Sequence, residues 1–162
     1  TGGVFNSYLA CWAPVVNIAR DGRWGRVPET YGEDPFLTQT LAAQFVQGLQ
    51  GEHPRYLKVA AAVKHFTVYD GPEEGRFAVD AAVPPQDLQA TWLRPWEHLV
   101  RHSGMHPLSG VMASYSAVDG VPLCANRRLL TDTLRTEFGF GGWVVSDCGC
   151  VTNVAATHHY AP

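Results

Sequence analysis

The chain has 162 residues, a formal net charge of −3 and no run of Lys or Arg. Without a basic stripe it has nothing to follow a phosphate backbone, so nucleic acid is not an expected partner. No apolar stretch reaches the roughly 18 to 20 uninterrupted residues of a bilayer-crossing helix, and no membrane association is expected. The opening "TGGVFNSYLACWAPVVN" has neither a charged n-region nor an unbroken apolar core, so it does not read as a signal peptide. Cysteine is confined to Cys11, Cys124, Cys148 and Cys150. They form no pair of CxxC knuckles, which argues against structural zinc, and Cys148 and Cys150 stand too close for an easy bond to each other. The seven histidines include no HExxH, and His158-His159 lacks the i, i+4 spacing of a helical metal pair. Neither GxGxxG nor GxxxxGKS is present to cradle a nucleotide, and no GxSxG elbow makes Ser146 a hydrolase nucleophile. No metal or organic cofactor is expected.

What is present is a globular composition, 46 % hydrophobic and 17 % charged. "YLACWAPVVNI" (8–18) reads as a buried strand and "ARDGRWGRVPETYGEDP" (19–35) as a long polar loop. Helical spacing then places Leu37, Leu41, Ala42, Phe45 and Leu49 in a helix that starts after Asp34-Pro35 and stops at Gly51. The unit repeats. "LKVAAAVKHFTVY" (57–69) is a second strand, and residues 86–103 form a helix with Leu88, Trp92 and Leu99 among its apolar positions, which Pro95 is able to kink. "SGVMASYSAV" (109–118) is a third strand, and residues 127–139 a third helix with Asn126 or Thr131 as cap. "GGWVVSDC" is a fourth strand.

Strands that are continuous apolar runs, separated by helix-sized elements, indicate a parallel α/β sheet buried on both faces. A doubly wound sheet and a (β/α)8 barrel both fit, and a barrel needs roughly twice this length. Either architecture gathers its chemistry at the C-terminal strand ends, here Asn17 to Arg26, Lys64-His65, Tyr115 and Asp147. Taken alone, Asp147 reads more readily as a turn or N-cap acid than as a reactive one. Lys64 and His65 are neighbours on a strand, so they share one pocket only if the backbone leaves a regular pleat. "RDGRWGR" offers Arg20, Asp21, Arg23 and Arg26 beside the acidic "ETYGED", an internally paired loop able to aim one guanidinium inward. A carboxylate among cations and aromatic rings suits a neutral polyhydroxylated ligand.

Four motifs, "RDGRWGRVPETYGEDP", "AAAVKHFTVYD", "VMASYSAVDGVPLCAN" and "LLTDTLRTEFGFGGWVVSDCG", stand in this order between about Trp12 and Cys150. Together they closely resemble the N-terminal catalytic domain of glycoside hydrolase family 3. The resemblance implies part of a (β/α)8 TIM-type barrel, about four strand-helix units, with residues 1–162 an incomplete barrel domain truncated at both ends. It implies a carbohydrate substrate and Asp147 as the nucleophile that forms a covalent glycosyl-enzyme intermediate. It further implies that Arg26, Lys64 and His65 bind sugar hydroxyls and that Met112 and Tyr115 line the same pocket. Family members often hold the Lys-His segment with non-proline cis peptides, which resolves the pleat problem.

Cys148 after the nucleophile, "CAN" and the nearby "HHY" resemble the β-xylosidase branch, whereas many β-glucosidase relatives carry Trp after the nucleophile. The implied activity is therefore retaining, exo-acting removal of β-linked sugars, β-D-xylose first. β-Glucosidase, α-L-arabinofuranosidase and a non-catalytic sugar-binding barrel are the alternatives. "ETYGEDP", with Glu29, Glu33 and Asp34, reads as a support loop. In the family the general acid/base comes from a C-terminal α/β sandwich domain of the same chain, so these 162 residues alone are expected to turn over little or nothing. Relatives are often secreted, periplasmic or lysosomal, which favours an extracytoplasmic location.

Overall fold

A computed structural model describes residues 9–160. In chain order the strands are β1 (Ala10–Cys11), β2 (Ala60–Phe66), β3 (Asp80–Ala81), β4 (Gly110–Ala113), β5 (Ala117–Val118), β6 (Val121–Pro122) and β7 (Trp143–Ser146). The helices are α1 (Pro35–Gln50), α2 (Arg94–Arg101), α3 (Arg128–Glu137, wound as a π-helix) and α4 (Cys150–Ala156). β1, β2, β4 and β7 lie side by side in that order, and every pairing among them is parallel. This is the parallel α/β layout expected of a TIM-type barrel segment.

α1 begins where Asp34 accepts the backbone N–H of Phe36 at 2.7 Å and Pro35 needs no partner of its own. It buries Thr38, Gln39, Ala42, Ala43, Val46 and Gln50, leaving Leu37, Leu41 and Phe45 nearly half exposed. The apolar spacing found the helix but not its inward face. Small residues pack against the sheet there, because bulk comes instead from α2, whose Trp96 meets Phe66 edge-on at 5.1 Å. Gln50 clasps the entry to β4: its Oε1 accepts the N–H and Oγ–H of Ser109, and its Nε2 donates to the Pro107 carbonyl. Removing the α1 cap in Asp34→Ala is expected to lower unfolding free energy by about 1 kcal/mol, read as a shift in urea midpoint. An unchanged midpoint would show that Pro35 alone sets the helix start.

Several predicted elements are broken. The strand predicted over 8–18 keeps only β1 and one further parallel bridge, Val15 to Lys64; Tyr8 lies outside the described residues. Pro14 has no N–H for a ladder, and its peptide with Ala13 is cis. The strand predicted over 109–118 divides into β4 and β5, the latter joining β3 and β6 in a second, three-stranded sheet. The helix predicted over 86–103 begins with short turns, Pro85–Asp87 and a π-helical Leu88–Trp92, and restarts at Arg94 beside Pro95. β7 is half-buried rather than buried, with Trp143 laid over Gly110, where a Cβ would stand 2.5 Å from the indole ring. Asn126 does cap α3, accepting the Leu129 N–H at 3.0 Å.

Candidate active site

Asp147 follows β7 directly, and its backbone N–H continues the sheet by donating to the Ala113 carbonyl at 3.0 Å. It is not a helix cap. Gly149, at φ 75°, precedes α4 and provides no side-chain cap, while Asp147 Oδ1 accepts only the adjacent Cys148 N–H at 2.7 Å. The other oxygen, Oδ2, is buried with no hydrogen-bond partner. An orphaned carboxylate oxygen costs free energy that a structural role does not recover.

His65 Nε2 stands 3.5 Å from that oxygen. The neighbours of His65 settle its tautomer. Asn17 Oδ1 accepts the His65 backbone N–H at 2.9 Å, and Asn17 Nδ2 donates to the His65 carbonyl at 2.9 Å, so the orientation of the amide is fixed. The same Oδ1 lies 3.0 Å from His65 Nδ1 and, as an acceptor, requires Nδ1 to carry the proton. Burial, followed by the charges of Arg26, Lys64 and Arg76, pushes the His65 pKa down to about 2. The ring is therefore neutral, and its Nε2 lone pair faces Oδ2. Two acceptors meet across a gap that a hydroxyl donor would fill.

The Lys64–His65 and Phe66–Thr67 peptides are cis, and the register between β2 and β4 shifts between Lys64 and Phe66. Lys64 is half-buried and takes part in no ion pair among the described residues, though its charge reaches both His65 and Glu29. Opposite it on β4 is buried Met112. Arg26 is held by Glu29 through a bidentate pair at 2.8 and 2.9 Å, which leaves its guanidinium 5.9 Å from the centre of the Tyr69 ring. Within "ETYGEDP", Glu29 holds Arg26 and Asp34 caps α1.

Tyr69 is the hub of the cluster. Its ring meets Trp24 at 5.6 Å, His65 at 5.2 Å and Tyr115 at 5.7 Å, all edge-on. Tyr115 in turn donates its hydroxyl to the Cys148 carbonyl at 2.9 Å. Burial and the Asp147 charge hold the Tyr115 phenol above its usual range, so it stays a donor. Arg26, His65, Tyr115 and Asp147 are thereby linked through one aromatic cluster, and Lys64 and Met112 sit on the adjoining strands. Asn17 stands at the strand end where the sequence places it, but its bonds to His65 are visible only in the fold, and Tyr69 and Trp24 carry no sequence signal beyond being aromatic residues in or beside apolar runs.

A disulfide joins Cys124 to Cys150, leaving Cys11 and Cys148 free. The partners are 26 residues apart, a separation that carries no pairing signal of its own. No cluster of three or more potential metal ligands occurs among the described residues. Hollows of about 550 Å3 beside Leu9–Trp12 and about 180 Å3 among Gln39, Arg94, Glu97, His98, Arg101 and His102 lie elsewhere. Convergent chemistry, rather than depth, marks the strand-end cluster.

Parallel strands with ionisable and aromatic side chains at their C-terminal ends define the active face of an α/β barrel enzyme. The chain belongs to glycosyl hydrolase family 3: the model of that family's N-terminal domain matches residues 9–161. It is 43 % identical over 152 residues to a xylan 1,4-beta-xylosidase of Xylanibacter ruminicola, covering 93 % of this chain and 17 % of that protein. It is 42 % identical over 163 residues to beta-D-xylosidase 1 of Arabidopsis thaliana, covering 98 % and 20 %. Among solved structures it superposes on a GH3 exo-beta-xylosidase (XlnD) in complex with a xylobiose aziridine probe, with TM-score 0.88, 36 % identity and coverage of 94 % and 20 %. A beta-glucosidase from Listeria innocua gives TM-score 0.83 at 34 % identity, covering 94 % and 21 %. The chain thus spans about a fifth of the length of these relatives.

Proposed function

We propose that the protein containing this chain is a retaining exo-glycosidase that removes β-D-xylose from non-reducing ends, with Asp147 as nucleophile. The observation that carries the reading is the Asp147 carboxylate, buried at a strand end with Oδ2 unpaired and facing the neutral His65 ring at 3.5 Å. In the first step a carboxylate oxygen attacks the anomeric carbon, and the bond to the leaving oxygen breaks as an acid protonates it. In the second, water displaces the carboxylate from the sugar, giving net retention. Lys64, His65 and Arg26 bind hydroxyls, and Met112 and Tyr115 wall the subsite. The acid/base comes from a further domain of the same protein. Neither step calls for a metal or an organic cofactor.

Xylose is favoured over glucose by the names of the sequence relatives and by Cys148, whose short side chain follows the nucleophile. The superposition on a beta-glucosidase supports β-glucoside hydrolysis as the second reading. The Cys124–Cys150 disulfide supports an extracytoplasmic setting, where such bonds persist.

Side-by-side hydrolysis of aryl β-xyloside, β-glucoside and α-arabinofuranoside by the full-length protein tests the reading, with the anomer first released followed by proton NMR. The expected result is kcat/KM at least tenfold higher for the xyloside than for the glucoside, with β-xylose the first product. α-Xylose as first product would rule out the covalent mechanism, and a preference for the glucoside would transfer the assignment to the second reading.

A further inference from the structure

The geometry points to Asn17 as a positioning residue that holds His65 in its Nδ1–H form, so that Nε2 presents a lone pair to a substrate hydroxyl beside Asp147. This rests on the proposal that His65 binds such a hydroxyl. Asn17 is buried, and its side-chain amide makes three contacts with one residue, His65: backbone N–H, backbone carbonyl and ring Nδ1, at 2.9, 2.9 and 3.0 Å. The two backbone bonds orient the amide, and the oriented amide dictates the ring's proton. The backbone thus sets the chemistry of a side-chain nitrogen.

The tautomer matters because of what faces Nε2. With a proton there, His65 would donate to Asp147 Oδ2, occupy that oxygen's unpaired side and draw electron density from the group proposed to attack. With a lone pair there, the imidazole and the carboxylate leave a shared place for a hydroxyl donor. Arg26, Lys64 and Arg76 also face the ring electrostatically, and all three oppose a second proton on it. Asp147 is the acid in contact with the ring, at 3.5 Å, and the edge of Tyr69 closes another side.

Asn17→Asp separates this role from a packing role. The new carboxylate still accepts the His65 N–H and the Nδ1 proton, but its charge raises the ring's affinity for a second proton, which goes to Nε2. In the full-length protein, kcat/KM for the aryl xyloside is expected to fall at least tenfold further at pH 5 than at pH 8, relative to the wild type. Asn17→Leu is expected to lose activity without this change in profile. A wild-type-shaped profile in Asn17→Asp would overturn the inference.

A second measurement holds even if both variants misfold or the protein cleaves none of the glycosides. In a multiple-bond proton–nitrogen spectrum of the wild type with 15N-labelled histidine, the His65 signals, identified by their loss in His65→Gln, should show Nδ1 protonated and Nε2 bare. Nε2 protonated, with xyloside hydrolysis intact, defeats the Asn17 role and leaves the proposed function standing. Nε2 bare with no glycoside hydrolysis does the reverse.

Discussion

Replacing Asp147 by Gly in the full-length protein is expected to lower kcat for an aryl β-xyloside by roughly 10^4-fold or more, the scale on which removing a covalent nucleophile acts. The fold should tolerate the change, because the side chain accepts only one hydrogen bond, from the neighbouring Cys148 N–H, and its Oδ2 has none to lose. Added azide then has room to attack the anomeric carbon from the vacated face. It should restore part of the rate with an activated aryl xyloside and yield the α-xylosyl azide. Asp147→Glu retains the carboxylate but displaces it by about one bond length, enough to cost roughly 10^2-fold. Activity of Asp147→Gly within tenfold of the wild type, or azide rescue giving the β-azide, would defeat the assignment.

The second large effect is a pair of opposed acid responses. Burial pushes the Asp70 carboxyl up to about 6 from the ordinary 3.8, even though Trp92 Nε1–H donates to it at 2.6 Å. His65 is pushed down to about 2 from 6.5. Between pH 4 and 6 the folded protein holds a proton on Asp70 that the unfolded chain releases, so this residue makes stability fall as pH rises. Over the same interval the unfolded chain holds a proton on His65 that the fold excludes, so that residue makes stability rise with pH. Each slope approaches about 1.4 kcal/mol per pH unit, and the two nearly offset.

Asp70→Asn keeps an acceptor for Trp92 and removes the first slope. It should be more stable than the wild type at pH 7 by up to about 3 kcal/mol, and lose that margin on acidification to pH 4. His65→Gln removes the other slope: with the Asp70 slope left alone its unfolding free energy falls as pH rises from 4 to 6, so against the wild type it fares best at pH 4 and loses ground as the pH rises. Urea unfolding of the three proteins at half-unit pH steps tests this. Parallel curves would show that neither group keeps its perturbed ionisation in the fold.

The parallel α/β class was legible because β2 opens on the apolar run Ala60 to Val63, because β4 is apolar throughout, and because Asp34-Pro35 and Asn126 mark helix starts by hydrogen bonds that need no tertiary contact. The second sheet was not read, since strands of two residues carry no period. One local signal for it was available. Asp119-Gly120 between Val118 and Val121 is a two-residue hairpin turn, and both turn residues have positive φ, 51° and 78°. Of the candidate site, the ionisable residues stood out because apolar strands rarely end in Lys-His or Asp without reason. Tyr69 and Trp24 did not, because an aromatic side chain in an apolar run looks like core until its neighbours are known. Asn17's role depends on bonds to a residue 48 positions away, beyond the reach of any local pattern.

The main chain around Asp147 is staked on both sides. On one, Tyr115 pins the Cys148 carbonyl; on the other, the Cys124–Cys150 bond moors the start of α4 to the turn after β6. Strand, phenol and sulfur bridge together hold the peptide that carries the acid, so the carboxylate itself needs no clamp. Rigidity is supplied by the frame and reactivity is left to the side chain, which is how one oxygen of a buried acid remains free of any bond without the loop around it giving way.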